Sequence, residues 1–253
     1  MNDILVTAFL LSLVLVGIHA FFGLEIIRRG IIFTDLAIGQ MAALGAAMSL
    51  FFLDGMLIYP VSLAFALLGG LLIAWAARHT DNLEAFIGLL YAFGISAVYI
   101  VLSKSAHGME EFQRLMASDI LFTPVEEVIK TAVIYSALGL VLFFLYRKIE
   151  GFWKDAVFFT TFAVTVTSSV KLAGVLIVFS LLVSPALIAL RFDGKLMLLK
   201  AWAIGTVANL AAIFASYKLD LPTGYTVVFV NALLAIAVSM VPRKKVEADT
   251  RAA

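Results

Sequence analysis

The sequence predicts an all-α membrane protein, a polytopic bundle of about nine transmembrane helices. Apolar residues make up 63% of the 253-residue chain and charged residues only 14%, and the mean hydropathy is +1.08. Soluble domains contain roughly half apolar and roughly a quarter charged residues. The apolar residues also come in runs of the length that a helix needs to cross a bilayer, about 20 residues, without the alternation typical of a barrel strand.

Nine apolar runs define the candidate helices, and together they form a single domain over residues 1–242. They cover residues 4–24, 31–53, 57–77, 83–103, 125–146, 155–173, 174–192, 196–216 and 222–242. The sixth and seventh runs are nearly continuous at Gly174. They are either two helices joined by a tight turn or one broken helix, which would leave eight. Residues 243–253 form a short charged tail, and Pro124 is expected to open the fifth helix.

Basic residues predict the orientation, with the N-terminus outside and the C-terminus in the cytoplasm. With nine helices, one side holds 13 of the 18 Lys and Arg residues and the other holds five. Cytoplasmic segments carry such an excess. The cytoplasmic set is Arg28, Arg29, Arg78, Arg147, Lys148, Lys154, Arg191, Lys195, Lys200, Arg243, Lys244, Lys245 and Arg251. The longest loop, residues 104–124, then lies outside.

Composition also excludes several classes of protein. A net charge of +1 offers no basic face for nucleic acid, and the absence of cysteine excludes disulfides and thiolate metal sites. No phosphate-binding loop of the type G-x-x-x-x-G-K-[ST] is present, so ATP hydrolysis would need a separate subunit. We therefore expect no enzymatic activity from the chain alone and no permanently bound cofactor.

Three polar residues inside the apolar runs, His19, Asp35 and Gln40, are the candidate metal ligands. An ionisable group in a membrane costs about 2.5–3.5 kcal/mol on insertion scales, so it needs a partner or a function. The alternatives are an Arg28–Asp35 ion pair at the helix end and an interhelical hydrogen bond for His19. Gln40 lies five residues after Asp35, roughly 140° around a helix, so the two share no face unless the helix is broken.

Four further stretches resemble the membrane permeases of metal-ion ABC importers, the family that takes up zinc, manganese and iron. The matches occur in the order of that family and cover most of the chain. The most specific pieces are Lys171-x-x-Gly174 and Leu221-Pro222-Thr223-Gly224. The four stretches are residues 84–94, 118–121, 170–186 and 216–224.

This resemblance implies a permease subunit that acts with several partners in the cytoplasmic membrane of a bacterium or archaeon. The implied partners are a second permease copy, cytoplasmic ATP-binding cassette subunits and an extracytoplasmic solute-binding protein. A divalent metal ion or a small metal complex would be the transported substrate.

Broken helices and turns in these motifs are candidates for gating. Pro185 lies in an apolar run and deprives the Leu181 carbonyl of its usual donor, while Ser184 can hydrogen-bond locally. Such broken helices supply backbone polar groups to transport cavities, although a static kink set by packing is the alternative. The complete set of predicted break or gating residues is Gly174, Ser184, Pro185, Pro222 and Gly224.

The sequence departs from the family pattern in its second apolar run. The resemblance implies a double arginine, then an Asp, then a His four residues later. Arg28, Arg29 and Asp35 keep these places, but Gly39 stands at the His position with Gln40 beside it. A carboxamide oxygen is a harder and weaker ligand than imidazole, so zinc is less well supported than another metal or a chelated one.

A second departure concerns coupling to the ATPase. The resemblance implies a longer cytoplasmic segment between the fifth and sixth helices, but only about residues 147–155 are available. Ile149, Phe152 and Trp153 are the candidate ATPase contacts, and an interfacial aromatic belt is the alternative. The predicted function is an ABC importer permease, and the alternative function is an uncoupled channel or facilitator that has lost its ATPase.

Overall fold

The computed structural model describes residues 2–105, 108–110, 112, 120–146, 148–192 and 196–241. Nine α-helices lie in this part of the chain, and a short 3-10 helix, Ile120–Phe122, precedes the fifth. No β-strand occurs among the described residues. The helices are α1 Asn2–Arg29, α2 Thr34–Leu53, α3 Ile58–Ala76, α4 Leu83–Leu102, α5 Val125–Phe144, α6 Gly151–Ala173, α7 Val175–Ala189, α8 Met197–Leu219 and α9 Thr223–Met240.

These helices confirm the nine predicted runs. Eight of the described helices are long and apolar enough to cross a membrane, whereas α7 is a shorter apolar helix. Its 15 residues span about 22 Å, less than the roughly 30 Å hydrocarbon layer. Pro124 directly precedes α5, as predicted. His107 and Asp119 of the long loop, and the tail at residues 243–253, lie outside the described residues.

The sixth helix begins earlier than the prediction, at Gly151 instead of about residue 155. Phe152, Trp153 and Lys154 form its first turn, whereas hydropathy alone predicts that they belong to the preceding connection. The connection between α5 and α6 is therefore even shorter than expected and spans residues 145–150.

Gly174 separates α6 from α7, so the sixth and seventh apolar runs form two helices. Its backbone has φ 84° and ψ 158°, a conformation that is accessible to glycine and strongly unfavourable for other residues. Its N–H still bonds the Val170 carbonyl at 2.9 Å, and its carbonyl accepts the Val178 N–H at 3.2 Å. The break is therefore confined to one residue.

The helices pack as two groups. One group joins α2 to α3 and α4, and α3 in turn packs on α6. The other joins α1 to α7 and α8, with α9 against α7 and α8, and α5 packs mainly on α1. Contacts of α7 with α2 and with α6 connect the groups. As a result α2, which carries Asp35, lies where the two groups meet.

An aromatic cluster holds α1 against α6. The ring of Phe22 lies 5.4 Å from that of Phe158 and 4.7 Å from that of Phe162, measured between centroids. All three side chains are fully buried. Buried aromatic pairs at such distances contribute about 0.5–1.5 kcal/mol beyond their burial. This cluster fixes the end of α1 that leads to Asp35.

The ends of α1 and α3 and the start of α6 meet at one end of the bundle. Arg29 and Arg78 both contact Asp155 there. We call this the basic end. Arg29 and Arg78 lie on the same side of the membrane when nine helices alternate in direction, as the sequence predicts. The assignment of this side to the cytoplasm stays a prediction.

Candidate transport site

Asp35 lies in the first turn of α2 and is buried, with 2% of its surface exposed. Its Oδ1 atom is buried and has no hydrogen-bond partner among the described residues. The predicted alternative, an ion pair with Arg28, is absent from the described residues, because Arg28 pairs with Glu25 at 3.4 Å. A buried carboxylate without a protein cation is costly, so Asp35 is suited to a cationic ligand.

Gln40 lies on a different face of α2. The helix is unbroken from Thr34 to Leu53, so Asp35 and Gln40 stay roughly 140° apart. The backbone and Cβ of Gln40 pack against Gly94 of α4. A Cβ added to Gly94 would lie only 2.9 Å from the Cβ of Gln40. Gly39 shares the face of Asp35. A Cβ added to Gly39 would lie 3.6 Å from Val175 Cγ2 of α7. Gln40 therefore does not take the place of the missing His on the face of Asp35.

His19 is fully buried in α1 and makes a hydrogen bond within its own helix. Its Nδ1 lies 2.9 Å from the Leu15 carbonyl, so this nitrogen donates and Nε2 carries the lone pair. The expected interhelical bond is not found among the described residues, and Nε2 has no partner there. The ring faces Tyr135 of α5 at a centroid distance of 6.4 Å.

The three predicted ligands are not gathered into one cluster. Among the described residues, no group of three or more His, Cys, Asp or Glu side chains could hold a metal ion. His19 neighbours α5 and Gln40 neighbours α4, while Asp35 lies on the face of α2 that approaches α7. Of the three, Asp35 is the group best placed for an ion at the junction of the two helix groups, and the assignments stay predictions.

Tyr135 forms a polar centre between α5 and α6 that the sequence did not reveal. Its hydroxyl bonds the Thr165 carbonyl at 3.1 Å and the Ser168 hydroxyl at 2.9 Å, and it also contacts the Ser169 hydroxyl. A stripe of Thr and Ser along α6 was the available signal. The partner of this stripe could not be read from the sequence, because Tyr135 lies 30 or more residues before these Thr and Ser residues.

The basic end carries a second polar network that the sequence missed. Arg29 donates to Asp155 at 2.9 Å and to the Tyr146 hydroxyl at 2.7 Å, and its guanidinium lies 4.4 Å from the Phe158 ring centroid. The Tyr146 hydroxyl donates in turn to Glu25 at 3.2 Å. Burial raises the pKa of Tyr146, so this hydroxyl remains a donor at neutral pH. The network joins the end of α1, just before Asp35, to the start of α6.

We expect a double-mutant cycle on Arg29→Gln and Asp155→Asn to reveal coupling between the two residues. Each single variant should lower the free energy of unfolding by about 1–3 kcal/mol. Asp155→Asn removes the carboxylate that pairs with Arg29, and Arg29→Gln leaves Asp155 only its longer contact with Arg78 at 3.9 Å. The side chains are 25% and 20% exposed, so solvent screening keeps the loss below that of a fully buried pair. Thermal unfolding in detergent measures the effect.

The double variant should lose less than the sum of the two single losses. Additive losses would show that Arg29 and Asp155 act independently. Lys130→Gln is the matched control, since Lys130 pairs with Glu126 at 2.8 Å on an exposed surface and should show no measurable change.

The predicted coupling residues lie at the basic end. Phe152 and Trp153 are on the first turn of α6, with 37% and 71% of their surfaces exposed, and their rings meet edge to face at 5.7 Å. Ile149 is half-buried in the connection before α6. The exposure fits both an ATPase contact and an interfacial belt, so these residues stay predictions.

Some of the predicted break and gating residues lie at helix ends, and the others lie within helices. Gly174 breaks the chain, whereas α7 continues through Ser184 and Pro185, and an added Cβ on Gly205 of α8 would lie 3.0 Å from Pro185 Cγ. Pro222 immediately precedes Thr223, the first residue of α9, as predicted. Gly224 faces Ile177, so the start of α9 lies against the start of α7. Their movement during transport stays a prediction.

Residues 151–242 of the chain match the ABC 3 transport family. The match covers α6–α9 and both of the most specific motifs. The chain is also 26% identical over 193 residues to a probable metal transport system membrane protein of Thermotoga maritima, covering 67% of this chain and 66% of that one. It is 25% identical over 260 residues to a probable iron transport system membrane protein of Haemophilus influenzae, covering 92% and 88%.

Two solved structures share the fold. PsaBC from Streptococcus pneumoniae, solved in complex with Fab, superposes with a TM-score of 0.73 at 17% identity, over 94% of this chain and 91% of that one. A metal-chelate type ABC transporter in an inward-facing conformation gives 0.67 at 13% identity, over 92% and 85%. Together with the family match, these findings confirm the resemblance to ABC importer permeases that the sequence predicts.

Proposed function

We propose that this chain is the membrane permease subunit of an ABC-type importer for a divalent metal ion or a small metal complex. The family match over α6–α9 and the relatives named for metal and iron transport support this class. The observation that carries the metal assignment is Asp35, a buried carboxylate without an ion-pair partner among the described residues, where the two helix groups meet. Carboxylate oxygen donors favour manganese over zinc.

The proposed mechanism is alternating access in an assembled complex. A solute-binding protein delivers the substrate to the outer mouth near residues 104–124. In the pair of permease copies, the substrate then passes Asp35, where the two helix groups of one copy meet. ATP binding to the separate cytoplasmic subunits shifts the equilibrium between the outward-open and inward-open states. The chain itself supplies ligands and a pathway but no hydrolytic group. The complex would lie in the cytoplasmic membrane of a bacterium or archaeon.

Coupling should depend on the aromatic pair at the start of α6. The double variant Phe152→Ser, Trp153→Ser should lower co-purification of the ATP-binding cassette subunit at least about tenfold, because interface aromatics carry a large share of binding energy. The measurement is the amount of ATPase retained by tagged permease in detergent.

The control for this experiment is Tyr99→Ser, an exposed aromatic residue at the opposite end of the bundle. It should retain the ATPase. Full retention by the Phe152, Trp153 double variant would identify the pair as a membrane-interface belt and would remove it from the coupling surface.

An uncoupled channel or facilitator is the second candidate function. The observation in its favour is the short connection between α5 and α6, in whose described residues, 145, 146 and 148–150, no separate helix occurs. Metal uptake that continues after ATP depletion would identify this function, whereas uptake that stops would support the importer.

A further inference from the structure

A slot of about 640 Å³ lies between α5 and α8, with α1 as its floor. α5 and α8 both pack on α1, and no extensive packing between α5 and α8 occurs among the described residues. Leu140, Phe143 and Trp202 at its rim are exposed on the outside of the bundle. The slot extends about 16 Å along α5, from Ala132 to Phe143.

Two glycines keep the slot open. A Cβ added to Gly17 of α1 or to Gly139 of α5 would meet no atom within 4 Å. Glycine at a helix crossing usually lets two backbones approach, as Gly23 does against α7 in this chain. Gly17 and Gly139 face empty space instead, so the slot has room for a molecule that is not part of this chain.

The slot presents a hydrocarbon surface, because its polar groups are already bonded inside the protein. Trp202 Nε1 donates to the Gly17 carbonyl at 2.8 Å, and the Ser136 hydroxyl donates to the Ala132 carbonyl at 2.7 Å. Tyr135 bonds to α6. The other lining residues include Val14, Ile18, Phe21 and Leu140. An occupant gains by burying apolar surface and needs no hydrogen bond to the wall.

Two lysine side chains lie at the basic end of the slot. Phe21 contacts the Tyr146 ring at 6.1 Å, and Lys154 Nζ lies 4.9 Å from the centroid of the same ring. Lys148 is exposed one turn beyond the end of α5, and Glu150 is the one acidic residue in that connection. At the opposite end Lys130 is paired with both Glu126 and Glu127.

We propose that the slot binds an acyl chain of an anionic phospholipid whose headgroup lies near Lys148 and Lys154. Hydrocarbon fills the apolar slot, and the phosphate interacts with the cations at the basic end, since basic pockets at the ends of transmembrane helices bind anionic lipid headgroups. This inference rests on the membrane-embedded fold and is independent of the transported substrate.

A second copy of the chain is a poorer occupant. A symmetric dimer is isologous, so a two-fold axis along the membrane normal through this face would bring Lys148 and Lys154 of both copies together. Juxtaposed like charges oppose association. An anionic lipid instead complements the same charges.

The test is electron spin resonance of purified full-length protein reconstituted in phosphatidylcholine vesicles that contain either spin-labelled phosphatidylglycerol or spin-labelled phosphatidylcholine. The proposal predicts that the protein immobilises phosphatidylglycerol with a relative association constant about fivefold above that of phosphatidylcholine, the effect of roughly one basic residue at the membrane surface. Gly139→Leu fills the slot and should remove this immobilised fraction.

Gly88→Leu is the matched control, because a Cβ on Gly88 of α4 also meets no atom within 4 Å. It should behave as the wild type does. The double variant Lys148→Gln, Lys154→Gln should lower the ratio of the two association constants toward one. Equal immobilisation of both lipids by the wild type, or an unchanged preference in Gly139→Leu, would overturn the proposal.

The cysteine-free sequence provides a direct test of the rival occupant. In Gly139→Cys, a short thiol cross-linker should give no dimer in vesicles if lipid fills the slot. An efficient cross-linked dimer would show that a second copy covers this face and would overturn the lipid proposal.

Discussion

Replacing Asp35 by Asn is expected to lower metal uptake at least about tenfold without lowering the stability of the protein. The carboxylate is buried, and no ion pair to it is found among the described residues. The variant therefore removes the charge of a candidate ligand without breaking an ion pair in the described part of the protein. Removing a buried charge that has no ion-pair partner among the described residues should leave the thermal midpoint unchanged or raise it. Uptake of radioactive iron or manganese by cells that express the complete transporter measures the effect.

Asp54→Asn is the matched control for this variant. Asp54 lies at the other end of α2, is exposed and has φ 49°, a left-handed conformation that Asn also tolerates. It should transport normally. Uptake by Asp35→Asn at the wild-type level would remove Asp35 from the pathway, and a large fall in its thermal midpoint would assign it a structural role.

Replacing Gly23 by Leu is expected to cause the largest loss of stability in the chain. An added Cβ at this position would lie far inside the contact distance of the Leu182 carbonyl oxygen and 3.0 Å from Ala186 Cβ. The backbones of α1 and α7 must therefore separate, which should lower the free energy of unfolding by about 3–5 kcal/mol. The measurement is the thermal midpoint in detergent, followed by tryptophan fluorescence.

Gly17→Ala provides the control on the same helix. Its Cβ meets no atom within 4 Å, so the variant should be neutral or slightly stabilising, because alanine favours the helix over glycine. Equal midpoints for Gly23→Leu and wild type would show that α1 and α7 do not cross closely at this position.

Hydropathy predicted the helices well because the bilayer imposes their length. The starts of α5 and α9 were readable from Pro124 and Pro222, and the break at Gly174 was correctly placed. The start of α6 was missed because aromatic and charged residues form its first turn. Hydropathy cannot distinguish such a turn from a loop, because mixed aromatic and charged residues are typical of either one at the membrane surface.

Side-chain partners were much harder to predict than helices. Asp35 and Gln40 were correctly expected on different faces, because helical geometry fixes their angle. The partner of Arg29 was not predictable, since Asp155 lies 126 residues away and becomes a neighbour only when α1 packs on α6. His19 could bond within α1 or across helices, and packing selected the Leu15 carbonyl.

The importer proposal is tested most directly by the ATP dependence of metal uptake in cells that contain the permease, its ATPase and its binding protein. We predict that uptake by the wild type falls to background when cellular ATP is depleted, and that Asp35→Asn stays at background in both conditions. Uptake by the wild type that persists undiminished after ATP depletion would contradict the account and would identify the chain as an uncoupled facilitator.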